Sequence, residues 1–278
     1  MLLPGYRTPC CRHRKDSPHS HPHSHGGGHD HMHSHDHDHD HAHDHRHDQG
    51  PAAGTRQIQV VRRVLDVNEK MAAQNRAVFA AKNVFVLNVM SSPGSGKTTL
   101  LIKSLQHLMP EVRCAVIVGD ICTTCDADRL AVSGAPVVQV NTDEFGGDCH
   151  LAAHVIEKAV EGIDLDPVDL LIVENVGNLV CPAEFDIGED ARVVVLSVTE
   201  GEEKPLKYPL MFRVSDVALL NKIDLLPHLD FDKEAAIANI GQIHPGMPVF
   251  EISARTGEGF APWIAWIRER LRDKHNQP

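Results

Sequence analysis

The sequence has no run approaching the ~20 apolar residues that a membrane helix needs, and its first residues lack the apolar core of a secretory signal. Positive charge is scarce, with 27 Lys and Arg against 38 Asp and Glu and a formal net charge of −11. That balance argues against a nucleic-acid binder, which would normally show a basic face. Cysteine is thin as well. The seven thiols are scattered, without the density of a disulfide scaffold. A chain without export signals is expected in the reducing cytoplasm, where grouped Cys and His read as metal or redox sites rather than bridges. At 278 residues, its N-terminal segment excluded, the chain fits one α/β domain of ordinary size.

Residues 1–54 are a different material from the rest. Fifteen of the 21 histidines lie between His13 and His47, mostly alternating with Asp, Ser or Pro. Almost nothing apolar is present, so this tail is expected to be disordered. The alternating imidazoles and carboxylates suit Ni²⁺, Cu²⁺ or Zn²⁺ at several sites of pH-dependent affinity. For nickel the candidate ligands are His19, His21, His23, His25, His29, His31, His33, His35, His37, His39, His41, His43, His45 and His47. A solvated linker and a sensor that charges near pH 6 to 6.5 are the competing readings.

From Thr55 to about Lys82 the spacing predicts a helix packing on the domain. Val60, Val61, Val64, Leu65, Met71, Val78 and Phe79 fall mostly on one side, and that stripe is expected to be core. The domain proper is expected to span 83–278. Its organising stretch runs from Val84 to Leu101, where an apolar β-favouring run meets Ser92-Pro93-Gly94-Ser95-Gly96-Lys97-Thr98-Thr99 and then Leu100 and Leu101. That is a strand, a phosphate loop and a helix. Amides of Gly94, Ser95, Gly96 and Thr99 would converge on a polyphosphate at a helix N-terminus. Lys97 would reach the β- and γ-phosphates, and the Thr98 hydroxyl would hold Mg²⁺. The generic pattern asks for Gly where Ser91 stands.

Further strands are expected at Cys114 to Val118, Val137 to Val140, Asp169 to Glu174, Arg192 to Val198, Asp216 to Leu220 and Pro248 to Ile252. Cys149-His150 is expected to open a helix reaching about Val160. Phe260, Trp263, Ile264, Ile267 and Leu271 recur at helical spacing and should be core. Continuous apolar strands alternating with amphipathic helices imply a mostly parallel sheet covered on both faces, with ligands at the strands' carboxyl ends.

Two strand ends read as a base site. Asp224 in Asn221-Lys222-Ile223-Asp224 can accept from guanine N1–H and the 2-amino group together. Adenine would leave that buried carboxylate unpaired, at ~2–3 kcal/mol, roughly a hundredfold preference for GTP. Asn221 would tie loops together, Lys222 would cover the base plane, and Ser253-Ala254 would offer amides to guanine O6. Asp120 and Glu174, on strands expected to flank the P-loop strand, would hold Mg²⁺ with Thr98. The Gly177 amide would sense the γ-phosphate. No Gln follows it to orient water and no arginine finger can be named, so hydrolysis should be slow without a partner or dimer.

Cys149, His150 and Cys181 form a metal constellation. Two thiolates and an imidazole suit Zn²⁺, or Ni²⁺ if the geometry becomes planar, with a fourth ligand from water or a second subunit. Two buried thiols beside a surface histidine is the plainer reading. Cys181 lies four residues past Gly177, so nucleotide state could move a ligand. Cys122-Thr123-Thr124-Cys125 is a lesser metal or redox candidate, and Cys10-Cys11 could join a metal site.

Several stretches resemble the hydrogenase nickel-incorporation GTPase family HypB. They are Asn88 to Leu101, Gly119-Asp120 with Asp126-Ala127-Asp128-Arg129, Gln139 to Thr142 leading to Cys149-His150-Leu151, Glu174 to Pro182, Ser197 to Pro209, and Asn221 to Asp224. The resemblance covers about residues 60–275. It implies a P-loop fold of the dimerising, SIMIBI-type GTPase class and a homodimer promoted by GTP. It implies Ni²⁺ or Zn²⁺ at Cys149, His150 and Cys181 near the subunit interface, and nickel delivery through a helper protein to the hydrogenase large-subunit precursor. A Cys-x-x-Cys-Gly-Cys start is absent. The chain resembles the His-rich members instead, for which nickel storage is also implied. Cys125 stands where Asn is more usual, and Asp143 to Asp148 looks longer than the usual loop. A nickel buffer with an incidental GTPase is the alternative. A urease-type GTPase would want Cys-Pro-His, and here Ala183 follows Pro182.

Overall fold

The computed structural model describes residues 53–120, 125–142 and 150–276, without the side chains of 53–62, 120 and 125. The chain divides into a short unit, Met1–Arg56, and a large one, Gln57–Pro278, which is the subject below. The tail histidines, Cys10-Cys11, Cys122 and Cys149 lie outside the described residues.

Seven strands, all parallel, form one sheet: β1 (Phe85–Ser91), β2 (Cys114–Asp120), β3 (Val137–Asn141), β4 (Leu170–Glu174), β5 (Ala191–Ser197), β6 (Val217–Asn221) and β7 (Val249–Ile252). Their order is β3-β2-β4-β1-β5-β6-β7. β1, β4 and β6 are buried at every position, as expected for strands covered on both faces. Nine α-helices are described: α1 (Ala53–Ala81), α2 (Lys97–Leu108), α3 (Cys125–Ala131), α4 (Ala153–Val160), α5 (Cys181–Glu184), α6 (Lys204–Lys207), α7 (Pro209–Val214), α8 (Lys233–Ile243) and α9 (Phe260–His275).

One sheet face packs on α2 and α9, and all five apolar residues expected to be core in α9 are buried. Trp263 Nε1 donates to Ser104 Oγ of α2 at 3.0 Å, which satisfies a buried indole while locking the two helices together. The other face carries two apolar clusters, one with α1 and α4, one with α7 and α8. Along β1 this second face reads Val86, Asn88, Met90. Val86 belongs to the first cluster and Met90 to the other, so Asn88 makes a polar seam between them.

Three expectations are corrected. The first concerns α1. Val64 is 51% exposed and Val78 48%, while Asn68, Ala72, Asn75 and Phe79 are buried. Those four recur at i, i+4, i+7 and i+11, a helical stripe whose core face includes two amides. The second concerns β2. Its neighbours are β3 and β4, whereas β4 and β5 flank β1, so Asp120 ends a strand one place further from the P-loop than expected. The third is the start of α4. Ala152 is extended (φ −88°, ψ 165°) and the helix begins at Ala153, because side chains from elsewhere take the amides of Leu151 and Ala153.

Candidate nucleotide and metal sites

Strand β1 delivers the chain to Ser92, and α2 begins at Lys97. Between them Gly94 and Gly96 take φ of +75° and +95°, the left-handed region open to glycine. At Gly96 a Cβ would also lie 2.8 Å from Asn221 Nδ2. Lys97 is buried and donates from Nζ to Ser91 Oγ at 2.7 Å. Ser95 Oγ donates to the same oxygen at 2.5 Å. Ser91 thus positions the lysine and the loop by its hydroxyl, a contact glycine could not make.

A cleft of about 360 Å³ opens above this loop, lined by Lys97, Thr98, Thr99, Asp126, Arg129, Glu174 and the Asn175–Gly177 turn, among others. Thr98 Oγ1 donates to Glu174 Oε1 at 2.8 Å. Glu174 Oε2 is buried without a hydrogen-bond partner among the described residues. Burial pushes the Glu174 carboxyl up to about 7, against the pull of Thr98 and Lys97. A buried carboxylate with one orphaned oxygen beside a P-loop hydroxyl fits a divalent cation. Gly177 stands directly against the P-loop, where a Cβ would come within 2.9 Å of Pro93 Cα.

Asp126 and Arg129 were not read from the sequence as site residues. Arg129 donates from Nη2 to Thr99 Oγ1 at 3.0 Å and pairs with Asp126 at 3.2 Å. It brings a guanidinium to the cleft, although no arginine was expected there. The short i, i+3 pairing with Asp126 was the available signal.

At the other end of the P-loop a recess of about 210 Å³ is lined by Gly96, Thr99, Asn221, Lys222, Asp224, Leu225, Ala254 and Arg255. Asn221 ends β6 fully buried, and its Nδ2 donates to Ser95 O at 2.9 Å. Its Oδ1 accepts from the amides of Lys222 at 2.8 Å and Ala254 at 3.1 Å. Lys222 Nζ donates to Gly94 O at 2.7 Å. Asp224 Oδ1 accepts from Ser253 Oγ at 2.6 Å, which aims the carboxylate. One expectation fails here. The Ser253 amide donates to Glu258 O and the Ala254 amide to Asn221 Oδ1, so in this structure neither points out for guanine O6.

Of the metal constellation, His150 and Cys181 are described. His150 is buried and stacks on Phe185 with ring centroids 3.9 Å apart. Phe185 directly follows α5, whose first residue is the half-buried Cys181. The two halves of the constellation therefore stand on neighbouring segments. Among the described residues no three His, Cys, Asp or Glu side chains converge as a metal cluster.

Residues 85–251 match the family model for the CobW/HypB/UreG nucleotide-binding domain. The hydrogenase maturation factor HypB of Azotobacter chroococcum is 52% identical over 231 residues, covering 81% of this chain and 74% of that one. The Escherichia coli K12 protein of the same name is 52% identical over 212 residues, covering 76% and 72%. The crystal structure of HypB from Helicobacter pylori in complex with nickel aligns with a TM-score of 0.69 at 34% identity, covering 76% of this chain and 97% of that one.

Proposed function

We propose a function that starts from membership: the chain belongs to the CobW/HypB/UreG nucleotide-binding family and, within it, to the hydrogenase maturation factors HypB. Its own role is that of a GTP-hydrolysing nickel metallochaperone for [NiFe] hydrogenase, with the histidine tail of 1–54 storing the ion. It works in the cytoplasm as a homodimer promoted by GTP. Nickel passes through a helper protein to the hydrogenase large-subunit precursor.

The observation that carries this reading is one short stretch, Glu174 to Cys181. Its first residue is bonded to Thr98, its Gly177 lies against Pro93, and its last residue heads the helix next to His150's stacking partner. Lys97 and Thr98 bind the β- and γ-phosphates, while Thr98, Glu174 and Asp120 hold Mg²⁺, which when bound offsets the polyphosphate's charge. Water adds to the γ-phosphorus, the bond to the β–γ bridging oxygen breaks, and GDP and phosphate leave. Asp224, aimed by Ser253, selects guanine. Losing the γ-phosphate releases Gly177, and the shift reaches Cys181, loosening nickel held by Cys149, His150 and Cys181. Zn²⁺ suits the same donors.

Lys97→Ala tests the coupling. It should abolish GTP hydrolysis and hydrogenase activity in cells while nickel binding by the tail persists. Maturation that survives the loss of hydrolysis refutes the reading. Deleting 13–47 separates it from a pure nickel buffer, because maturation should then persist when nickel is ample.

A further inference from the structure

The polar seam at Asn88 leads to Asn175. Asn175 follows Glu174 and precedes the Val176–Gly177 turn, and only 1% of it is exposed. Its Oδ1 accepts from the Val176 amide at 3.0 Å and from the Leu151 amide at 3.1 Å. One side chain therefore grips both the turn beside the P-loop and the peptide immediately after His150. Leu151 is itself fully buried and packs against the Gly119 backbone, so its amide has no water to turn to.

The chain of bonds continues. Asn175 Nδ2 donates to Asn88 Oδ1 at 3.2 Å, and Asn88 Nδ2 donates to Glu189 Oε1 at 3.3 Å. Glu189 Oε2 accepts from the Ile187 amide at 2.7 Å, six residues past Cys181. Helix α1 ties the same two segments from outside. Asn68 Oδ1 accepts from the Ala153 amide at 2.9 Å and its Nδ2 donates to Asp186 O at 2.7 Å. Asn75 Nδ2 donates to Ala153 O at 2.8 Å and Ile187 O at 3.1 Å. The stretches that follow His150 and Cys181 are thus tied to each other through Ala153, Asp186 and Ile187, and Asn175 is where that frame meets the nucleotide cleft.

We infer that Asn175 is a positioning residue that couples the two sites, holding the peptide after His150 in register with the Val176–Gly177 turn. The inference rests on the reading proposed above, and it adds a route to the metal site that does not pass through Cys181. A turn that moves away from Pro93 must either carry the Asn175 side chain with it or break its bond to Leu151. Either way the peptide after His150 loses its present register with the turn, which frees His150 to shift relative to Cys181.

Coupling between sites is reciprocal, so it can be read on the nucleotide side. The probe is the GTPγS:GDP affinity ratio of the full-length protein in saturating Mg²⁺, with and without NiCl₂. Nickel held at sites indifferent to nucleotide cancels from this ratio. Nickel should change the wild-type ratio at least about fivefold, in the ordinary range of allosteric coupling. In Asn175→Ala the change should fall within about twofold of none, while each nucleotide still binds without nickel. Asn175→Ser, which retains a short acceptor for Val176 but falls short of Leu151, should behave alike. A merely structural role would weaken both nucleotides together and leave the nickel effect intact. A full nickel effect in either variant overturns the inference and leaves the Cys181 route standing, whereas no nickel effect in the wild type overturns both. Should both variants fail to fold, hydrogen exchange of the wild-type peptide 150–156 decides. Exchange slower with GTPγS than with GDP supports the inference, and equal exchange overturns it.

Discussion

Replacing Asn75 by alanine removes two hydrogen bonds at once from the buried face of α1. The acceptors, Ala153 O and Ile187 O, belong to segments 78 and 112 residues away, and Asn75 is only 5% exposed. Each bond contributes ~1 kcal/mol net, and the buried carbonyls left behind add a desolvation cost. The loss should therefore be ~2–3 kcal/mol. In a unit of this size ~1 kcal/mol corresponds to roughly 2–4 °C, so Tm should fall by about 5–10 °C. Urea unfolding of the nucleotide-free protein measures the same quantity, with the m-value checked for constancy. Asn75→Asp should be at least as harmful above pH 5, because a carboxylate would face two carbonyls. A loss below ~0.5 kcal/mol for Asn75→Ala would refute this reasoning and leave Asn68, Ala72 and Phe79 to seat α1.

Glu174 predicts a pH dependence. Burial pushes its carboxyl up from 4.5 to about 7, so the protonated form favours the fold at low pH, and ~3 kcal/mol is lost as pH rises from about 4.5 to about 7. Without nucleotide or divalent cation, Glu174→Gln should flatten the urea stability profile between pH 5 and 8; an unchanged slope refutes this. Gly177→Ala places a methyl 2.9 Å from Pro93 Cα, so GTPγS affinity should fall at least tenfold by fluorescence titration while GDP affinity holds. Equal losses for both nucleotides would remove Gly177 from γ-phosphate sensing. Asp224→Asn should weaken GTP roughly a hundredfold and favour the xanthine nucleotide, whose C2 carbonyl can accept from the new amide; retained GTP preference in a competition assay would place the base elsewhere.

The phosphate loop was legible because its chemistry is local. Glycine, lysine and hydroxyl spacing between a strand and a helix leaves little choice of backbone. The α9 stripe was legible for a similar reason, since every core position there is apolar. α1 misled because apolar periodicity assumes that buried means hydrophobic, and Asn68 and Asn75 are buried as donors and acceptors for distant backbone. The order of β2 and β4 could not be read at all, since each strand is a similar apolar run and nothing local says which neighbours it takes. Asn175 carries no local signal of its own inside the stretch from Glu174 to Pro182. Its role depends on Leu151 and Asn88, 24 and 87 positions away.

The Trp263–Ser104 contact has a consequence for biosynthesis. Helix α2 emerges from the ribosome early, yet the apolar groove behind it is filled by a helix some 160 residues further along. Until that helix has been translated, the phosphate-binding arm lies over an open hydrophobic flank. A nascent polypeptide arrested before Phe260 should be a substrate for chaperones rather than a holder of nucleotide.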